Sequence, residues 1–248
     1  MLYVNLFLFG LIIGSFLNVC IYRIPRGESI VFPSSYCPQC SYFLKPWHLI
    51  PVFSFLLLGG RCSHCGEKIP WRYPLVELLT GILFTLLVFR YGFTVETLFY
   101  CFFIAALIVI AFIDRENFLI PNIVNLVLLG LGTFFHFFFR PIGWANPFLT
   151  FLGTGLFFLF LQLLFRGGLG GGDVKLAAVL GLWLGWPLTV FAIFLGSLLG
   201  SIIGISLIIL KKRKRKDPLP YGPFLVISTL IILLLGDLIW YFPVEMFP

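Results

Sequence analysis

The chain has 248 residues, 60% of them hydrophobic and 11% charged, with a mean hydropathy of +1.06. A soluble domain of this length needs far more surface charge, so the composition excludes one, and the apolar runs lack the polar–apolar alternation of an outer-membrane barrel. The net charge of +7 points either to nucleic acid or to membrane topology, and the placement of the basic residues decides between them.

Apolar runs lie at 1–22, 74–90, 96–113, 118–139, 147–165, 174–187, 188–210 and 221–242, separated by proline, glycine and charge clusters. Each is read as a membrane helix, which predicts an all-α polytopic protein with about eight transmembrane helices. The stretch from 174 to 210 is too long for one span, and Gly185-Trp186-Pro187 reads as a turn dividing it into two helices. The alternative is an interfacial segment there and seven spans. The first run starts at Met1 with no basic residue before it, which is unlike a secretory signal. With the N-terminus outside and loop 23–73 in the cytoplasm, all 17 Lys and Arg residues except Arg90 and Arg140 fall on the inner side. That bias accounts for the net charge without nucleic acid. The basic run Lys211 to Lys216 then reads as a topology anchor that meets anionic membrane lipid. The predicted organisation is a first transmembrane helix (1–22), a cytoplasmic loop domain (23–73) and a seven-helix membrane core (74–248).

Loop 23–73 holds six of the 16 prolines and is too small for a robust apolar core of its own. Cys37-Pro38-Gln39-Cys40 and Cys62-Ser63-His64-Cys65-Gly66 supply two C-x-x-C knuckles, the pattern of a zinc-ribbon-like structural site with four thiolates on Zn²⁺. A reducing cytoplasm disfavours two disulfides. Four thiolates leave no open position for catalysis by the metal. Gly66 would relieve the turn after the second knuckle, and His64 is an alternative ligand that otherwise faces solvent. Cys20 and Cys101 lie in apolar runs and read as small packing residues.

Ionisable residues in or beside spans are costly and default to functional candidates. Asp114 ends the third span and Asp173, after Gly170-Gly171-Gly172, opens the sixth. Both fall at cytoplasmic helix ends in a topology set by Lys and Arg alone. Two carboxylates at one depth can share a proton and activate a water, one as general base while the other, protonated, polarises a carbonyl. The helix dipole favours Asp173, and the glycines before it would let another backbone approach. The competing reading makes Asp173 a helix cap and Asp114 half of a solvated ion pair with Arg115. The glycine run from 167 to 172 fits neither the phosphate loop nor the dinucleotide fingerprint.

Taken in order, these segments resemble the type IV prepilin peptidase family over nearly the whole chain. Gly14-Ser15-Phe16-Leu17-Asn18-Val19 with Tyr22-Arg23-Ile24-Pro25 is similar to the family's opening motif. The two knuckles follow, then Arg72-Tyr73-Pro74-Leu75-Val76-Glu77, Asp114 ahead of Ile120-Pro121, and Gly170-Gly171-Gly172-Asp173-Val174-Lys175-Leu176, which is similar to the G-x-G-D motif. Gly181, Trp183, Gly185 and Trp186 come next, and Pro220-Tyr221-Gly222-Pro223-Phe224-Leu225 resembles the closing P-F-G-P-F-L segment. The resemblance implies an aspartic, non-metal peptidase of the bacterial cytoplasmic (inner) membrane. Asp114 and Asp173 would be catalytic, with Gly170, Gly172 and Lys175 supporting them. Its substrates would be prepilins or pseudopilins of type IV pili or type II secretion, cut at the cytoplasmic face after a glycine that ends a short basic leader. Members with the cysteine loop are commonly bifunctional and methylate the new N-terminus with S-adenosylmethionine. Gly60, Arg72 and Glu77 are candidates for that second site or for substrate, against readings as a turn glycine, a membrane anchor and a helix–helix contact. Where many members carry aspartate after Ile-Pro this chain has Asn122, which removes a competing carboxylate and predicts altered hydrogen bonding. Two rival readings are a transporter with membrane-edge aspartates and a non-catalytic scaffold binding through its zinc loop. The sequence carries no signal of oligomeric state.

Overall fold

The computed structural model describes residues 1–139, 143–165, 169–214 and 217–240, the side chains of 237–240 excepted. Arg140, Arg166, Gly167, Gly168, Arg215 and Lys216, which entered the charge and glycine readings, lie outside the described residues. The α-helices are α1 (Leu2–Arg23), a short α2 (Phe53–Leu57), α3 (Arg72–Tyr91), α4 (Val95–Asn117), α5 (Asn122–Phe139), α6 (Ala145–Leu164), α7 (Gly171–Leu184), α8 (Leu188–Ile209) and α9 (Gly222–Trp240). Among the described residues there is no strand, only two isolated bridges in the cysteine loop, Tyr36 with Phe43 and Arg61 with Lys68.

Each predicted apolar run corresponds to one helix, and among the described residues six are long and apolar enough to cross a membrane: α1, α3, α4, α5, α6 and α8. The count of eight spans is therefore approximate. Helix α7 has 14 residues, about 21 Å at 1.5 Å per residue, short of an apolar layer of about 30 Å. The described apolar part of α9 is Gly222–Gly236. The expected break at 185–187 is present, since α7 stops at Leu184 and α8 starts at Leu188. Asn146 of α6 brackets it, accepting from the Trp186 amide at 2.8 Å and donating to the Trp186 carbonyl at 3.1 Å. Several boundaries shift by a few residues, and the end of α4 is the one that bears on the site. Helix α4 runs through Asp114, Arg115 and Glu116 to Asn117 instead of stopping at 113, because charged side chains end an apolar run without ending a helix.

The chain forms two compact units, Met1–Val109 and Ile110–Pro248. In the first, α1 packs on α3 through small residues. A Cβ on Gly10 would lie 2.7 Å from the Gly81 Cα, and one on Gly14 would lie 2.6 Å from the Glu77 Cα. Between apolar helices in lipid, such close backbone packing together with polar bonds supplies the association that burial supplies in water. The polar bond here is Asn18 Nδ2 to the Tyr73 carbonyl at 3.0 Å. Arg23, counted from sequence among the basic residues of the cytoplasmic side, is only 4% exposed. Its guanidinium donates to the carbonyls of Ser29 (3.0 Å) and Pro33 (2.8 Å), tying the start of the loop to the end of α1.

In the second unit α7 lies among α5, α6, α8 and α9, and every residue from Leu176 to Gly185 is buried. Trp183 Nε1 donates to the Leu128 carbonyl at 3.0 Å and the His136 Nε2 meets the Leu182 carbonyl at 2.8 Å. These bonds fix the rotation of α7 against α5, and with it the direction in which the first turn of α7 points.

Candidate active site

Asp114 sits three residues before the end of α4 and is 6% exposed. Its Oδ2 accepts a hydrogen bond at 2.9 Å from the amide of Gly222, the first residue of α9. A Cβ on Gly222 would lie 2.7 Å from that same oxygen. Position 222 therefore has to be glycine for the amide to reach the carboxylate.

Asp173 is the third residue of α7, whose N-cap is Gly170. Its Oδ2 accepts the Gly170 amide at 3.2 Å, half of a capping box. The capping reading is thus correct for one oxygen. The other, Oδ1, is buried and makes no hydrogen bond to any described residue. Among the described residues, the groups nearest the glycines before Asp173 are side chains. A Cβ on Gly170 would lie 2.9 Å from the Asp173 Oδ2, and one on Gly172 would lie 2.8 Å from the Ile120 Cβ. The glycines press the start of α7 onto the Ile120-Pro121 link and leave the carboxylate room to fold back over the helix end.

The two aspartates, 59 positions apart in the chain, fall in one compact unit, and the charge of Asp114 acts on Asp173. Lys175 points to α5 instead of to either acid, donating to the Asn122 Oδ1 at 2.8 Å. The residue noted as a departure at 122 thus holds the ends of α5 and α7 together. Sequence reasoning assigned no role to Gly222, Tyr221 or Ser197. The Tyr221 and Ser197 hydroxyls are 2.8 Å apart, and the Asp173 charge also acts on Tyr221. The sequence signals for Gly222 were its place in the segment resembling the family's closing motif and its position next to a proline at the head of an apolar run. Its partner, Asp114, lies 108 positions away.

In the first unit the sulfurs of Cys37, Cys40, Cys62 and Cys65 all lie within 4.8 Å of one another, and no disulfide is formed. Thiolates about 2.3 Å from a tetrahedral metal stand about 3.8 Å apart, and the Cys37 and Cys65 sulfurs are 3.9 Å apart. The donor set fits a metal of zinc type. Backbone amides of Cys65 and His64 directed at the Cys62 sulfur hold its thiol down at about 7, while the neighbouring cysteine side chains push the Cys65 thiol up, so one sulfur of the set is poised as the thiolate a metal needs. His64 itself stacks on Tyr42, with ring centroids 4.8 Å apart, outside the four-sulfur set. The two knuckles repeat one hydrogen-bond pattern. Cys37 N binds the Tyr42 carbonyl and Ser41 N the Cys37 carbonyl, as Cys62 N binds the Glu67 carbonyl and Gly66 N the Cys62 carbonyl. Ser41 (φ 56°) and Gly66 (φ 74°) take the same left-handed place.

Of the remaining candidates, Glu77 is buried in α3. It accepts the Val52 amide at 2.7 Å and a bond from Ser15, joining the loop to both helices. Gly60 has φ 66° and lies under the Phe55 ring, 3.1 Å from where its Cβ would be. The Arg72 guanidinium lies 4.9 Å from the centre of the Tyr73 ring. Cys20 and Cys101 are buried, as packing residues should be.

Residues 8–91 match the model of the bacterial peptidase A24 N-terminal domain, and residues 101–205 match that of the type IV leader peptidase family. The chain is 35% identical to the prepilin leader peptidase/N-methyltransferase of Pseudomonas aeruginosa over 258 residues, covering 93% of this chain and 89% of that protein. It is 36% identical to the protein of the same description from Bacillus subtilis, covering 97% of each, and 37% identical to that of Neisseria gonorrhoeae, covering 93% and 90%. No solved structure matches it significantly. Two adjacent family models and full-length relatives agree with the order of motifs and with the helical fold, and the chain belongs to the type IV leader peptidase family.

Proposed function

We propose that this multi-pass membrane protein is an aspartic endopeptidase that removes the short basic leader of type IV prepilins or pseudopilins. The cut falls after glycine, at the cytoplasmic face of the bacterial inner membrane. The observation that carries the reading is the presence of Asp114 and Asp173 in one unit, each oriented by a backbone amide, with the charge of Asp114 acting on Asp173. Two carboxylates so placed hold one proton between them. Asp114, fixed by the Gly222 amide, serves as the base that takes a proton from the attacking water. Asp173, whose Oδ1 has no protein acceptor or donor, serves as the acid that donates to the scissile carbonyl. Water oxygen adds to the carbonyl carbon to give a gem-diol, the C–N bond breaks as the proton taken by Asp114 passes to the leaving amine, and Asp173 regains its proton from a gem-diol hydroxyl as the carbonyl re-forms. Gly170 and Gly172 hold the Asp173 loop in shape, and Lys175 positions it through Asn122.

The four cysteines would hold structural Zn²⁺, which stabilises the loop when bound and has no open position for chemistry. The same chain methylates the new N-terminal amine from S-adenosylmethionine. Glu77, a buried carboxylate between the loop, α1 and α3, has the charge to face a sulfonium donor or an amine acceptor. Arg72 lies five residues before it at the start of α3, and Gly60 serves as a turn that shapes the loop. The protein is organised as a first helix (1–22), a zinc loop (23–73) and a seven-helix peptidase core (74–248). Mass measurement of a purified prepilin incubated with the protein and methyl donor tests this. The expected product lacks the leader and carries one methyl group. An intact substrate overturns the peptidase reading, and an unmodified amine overturns the methylation.

A further inference from the structure

Serine and threonine in apolar helices ordinarily satisfy their hydroxyls on the carbonyl one turn back. Ser206 does so with the Ile202 carbonyl at 2.7 Å, and Thr189 with the Gly185 carbonyl at 2.8 Å. Ser197 does not. Its hydroxyl meets that of Tyr221 at 2.8 Å, linking α8 to the residue just before α9. The pair does not sit at the end of α8. Ser197 is 12 residues before Ile209, about 18 Å along the helix, and its neighbours Phe194 and Leu198 are exposed apolar residues. The first turn of α9 lies at this level too, since Cβ atoms on Gly196 and Gly200 would meet Ser228, Leu225 and Phe224. A hydroxyl pair, exposed at Ser197 and half-buried at Tyr221, therefore interrupts an apolar surface, next to the amide that holds Asp114 and within the field of Asp173.

A peptide bond must leave its helix to be attacked. Beside lipid, the N–H and C=O groups so freed cost several kcal/mol each unless they find partners. Two hydroxyls sharing one hydrogen bond keep one O–H donor and lone pairs for a third group. We propose that the Tyr221–Ser197 pair is a substrate-positioning subsite that binds the unwound peptide backbone next to the scissile bond. The ligand is the extended main chain of an apolar membrane-borne peptide, so the pair acts on any substrate sequence. This rests on the peptidase reading above.

The test is steady-state cleavage of a synthetic prepilin peptide, in detergent, by the wild type and by Tyr221→Phe, Ser197→Ala, Ser197→Thr and the Tyr221→Phe/Ser197→Ala double variant. Tyr221→Phe is expected to raise KM about tenfold, the scale of one lost hydrogen bond near an apolar surface, with kcat little changed. Ser197→Ala should raise KM less, Ser197→Thr should recover most of that loss, and the double variant should be no worse than Tyr221→Phe. Unchanged KM in both single variants, or a loss confined to kcat, overturns the subsite. Ser197→Ala leaves every ring in place and so reads the pair without disturbing packing. Failure of the wild type to cut the peptide overturns the peptidase reading instead, which keeps the two apart.

Discussion

The amide of Gly222 donates to Oδ2 of Asp114 at 2.9 Å across 108 residues of chain, and a Cβ on that glycine would stand 2.7 Å from the oxygen it serves. Gly222→Ala must therefore push the carboxylate aside. Displacements near 1 Å at reacting groups cost about a hundredfold in rate, so the variant should fold, bind substrate and cut about 100-fold more slowly. Single-turnover cleavage together with thermal unfolding in detergent checks this. Normal kcat would detach the Gly222 contact from catalysis.

A second consequence concerns the pairing of α1 with α3. A Cβ on Gly14 would meet the Glu77 Cα at 2.6 Å, whereas one on Gly130 in α5 would meet nothing within 4 Å. Gly14→Ala should destabilise the protein by about 1–3 kcal/mol, the usual cost of overpacking. Gly130→Ala should be neutral or stabilise by up to about 1 kcal/mol, because it removes helix-interior glycine. Unfolding midpoints of the two variants in one detergent decide the matter. Equal shifts would contradict the close helix approach.

The four sulfurs predict about one zinc per chain by metal analysis. Cys40→Ser should lower metal content and increase proteolysis within 23–73 while leaving the leader cleavage step measurable, because the metal is outside the peptidase chemistry. A Cys40→Ser protein with full metal content would contradict the assignment.

The knuckles make opposite predictions at equivalent places. Gly66→Ala forces a side chain into φ 74° and Ser41→Gly removes one from φ 56°. The left-handed region costs a non-glycine residue about 1–2 kcal/mol. The first variant should weaken metal retention against a chelator by about tenfold, and the second should strengthen it or leave it unchanged. Weaker retention in Ser41→Gly would mean that the serine side chain is needed.

The aspartates were legible in the sequence because so few charges interrupt the apolar runs, and because Gly170-Gly171-Gly172 marks a tight helix start before Asp173. The knuckles were legible because ligand spacing is local, and Gly185-Trp186-Pro187 because turn chemistry is local. Three things were not legible. The helix at Asp114 continues through Asp-Arg-Glu, since those residues suit helices and only their polarity ends an apolar run. Arg23 is buried because backbone carbonyls of Ser29 and Pro33 receive its charge, a partnership no hydropathy pattern records. Gly222 meets Asp114 only once α4 and α9 are folded, and nothing in either segment names the other.

The account depends most on Asp114 and Asp173 acting as a pair, and cleavage of a prepilin peptide by Asp114→Asn and Asp173→Asn tests it most directly. Both variants should be folded, retain zinc and lose at least about a thousandfold in kcat, the scale of removing a general acid or base. A folded variant of either kind that cuts the peptide at near the wild-type rate would contradict the account.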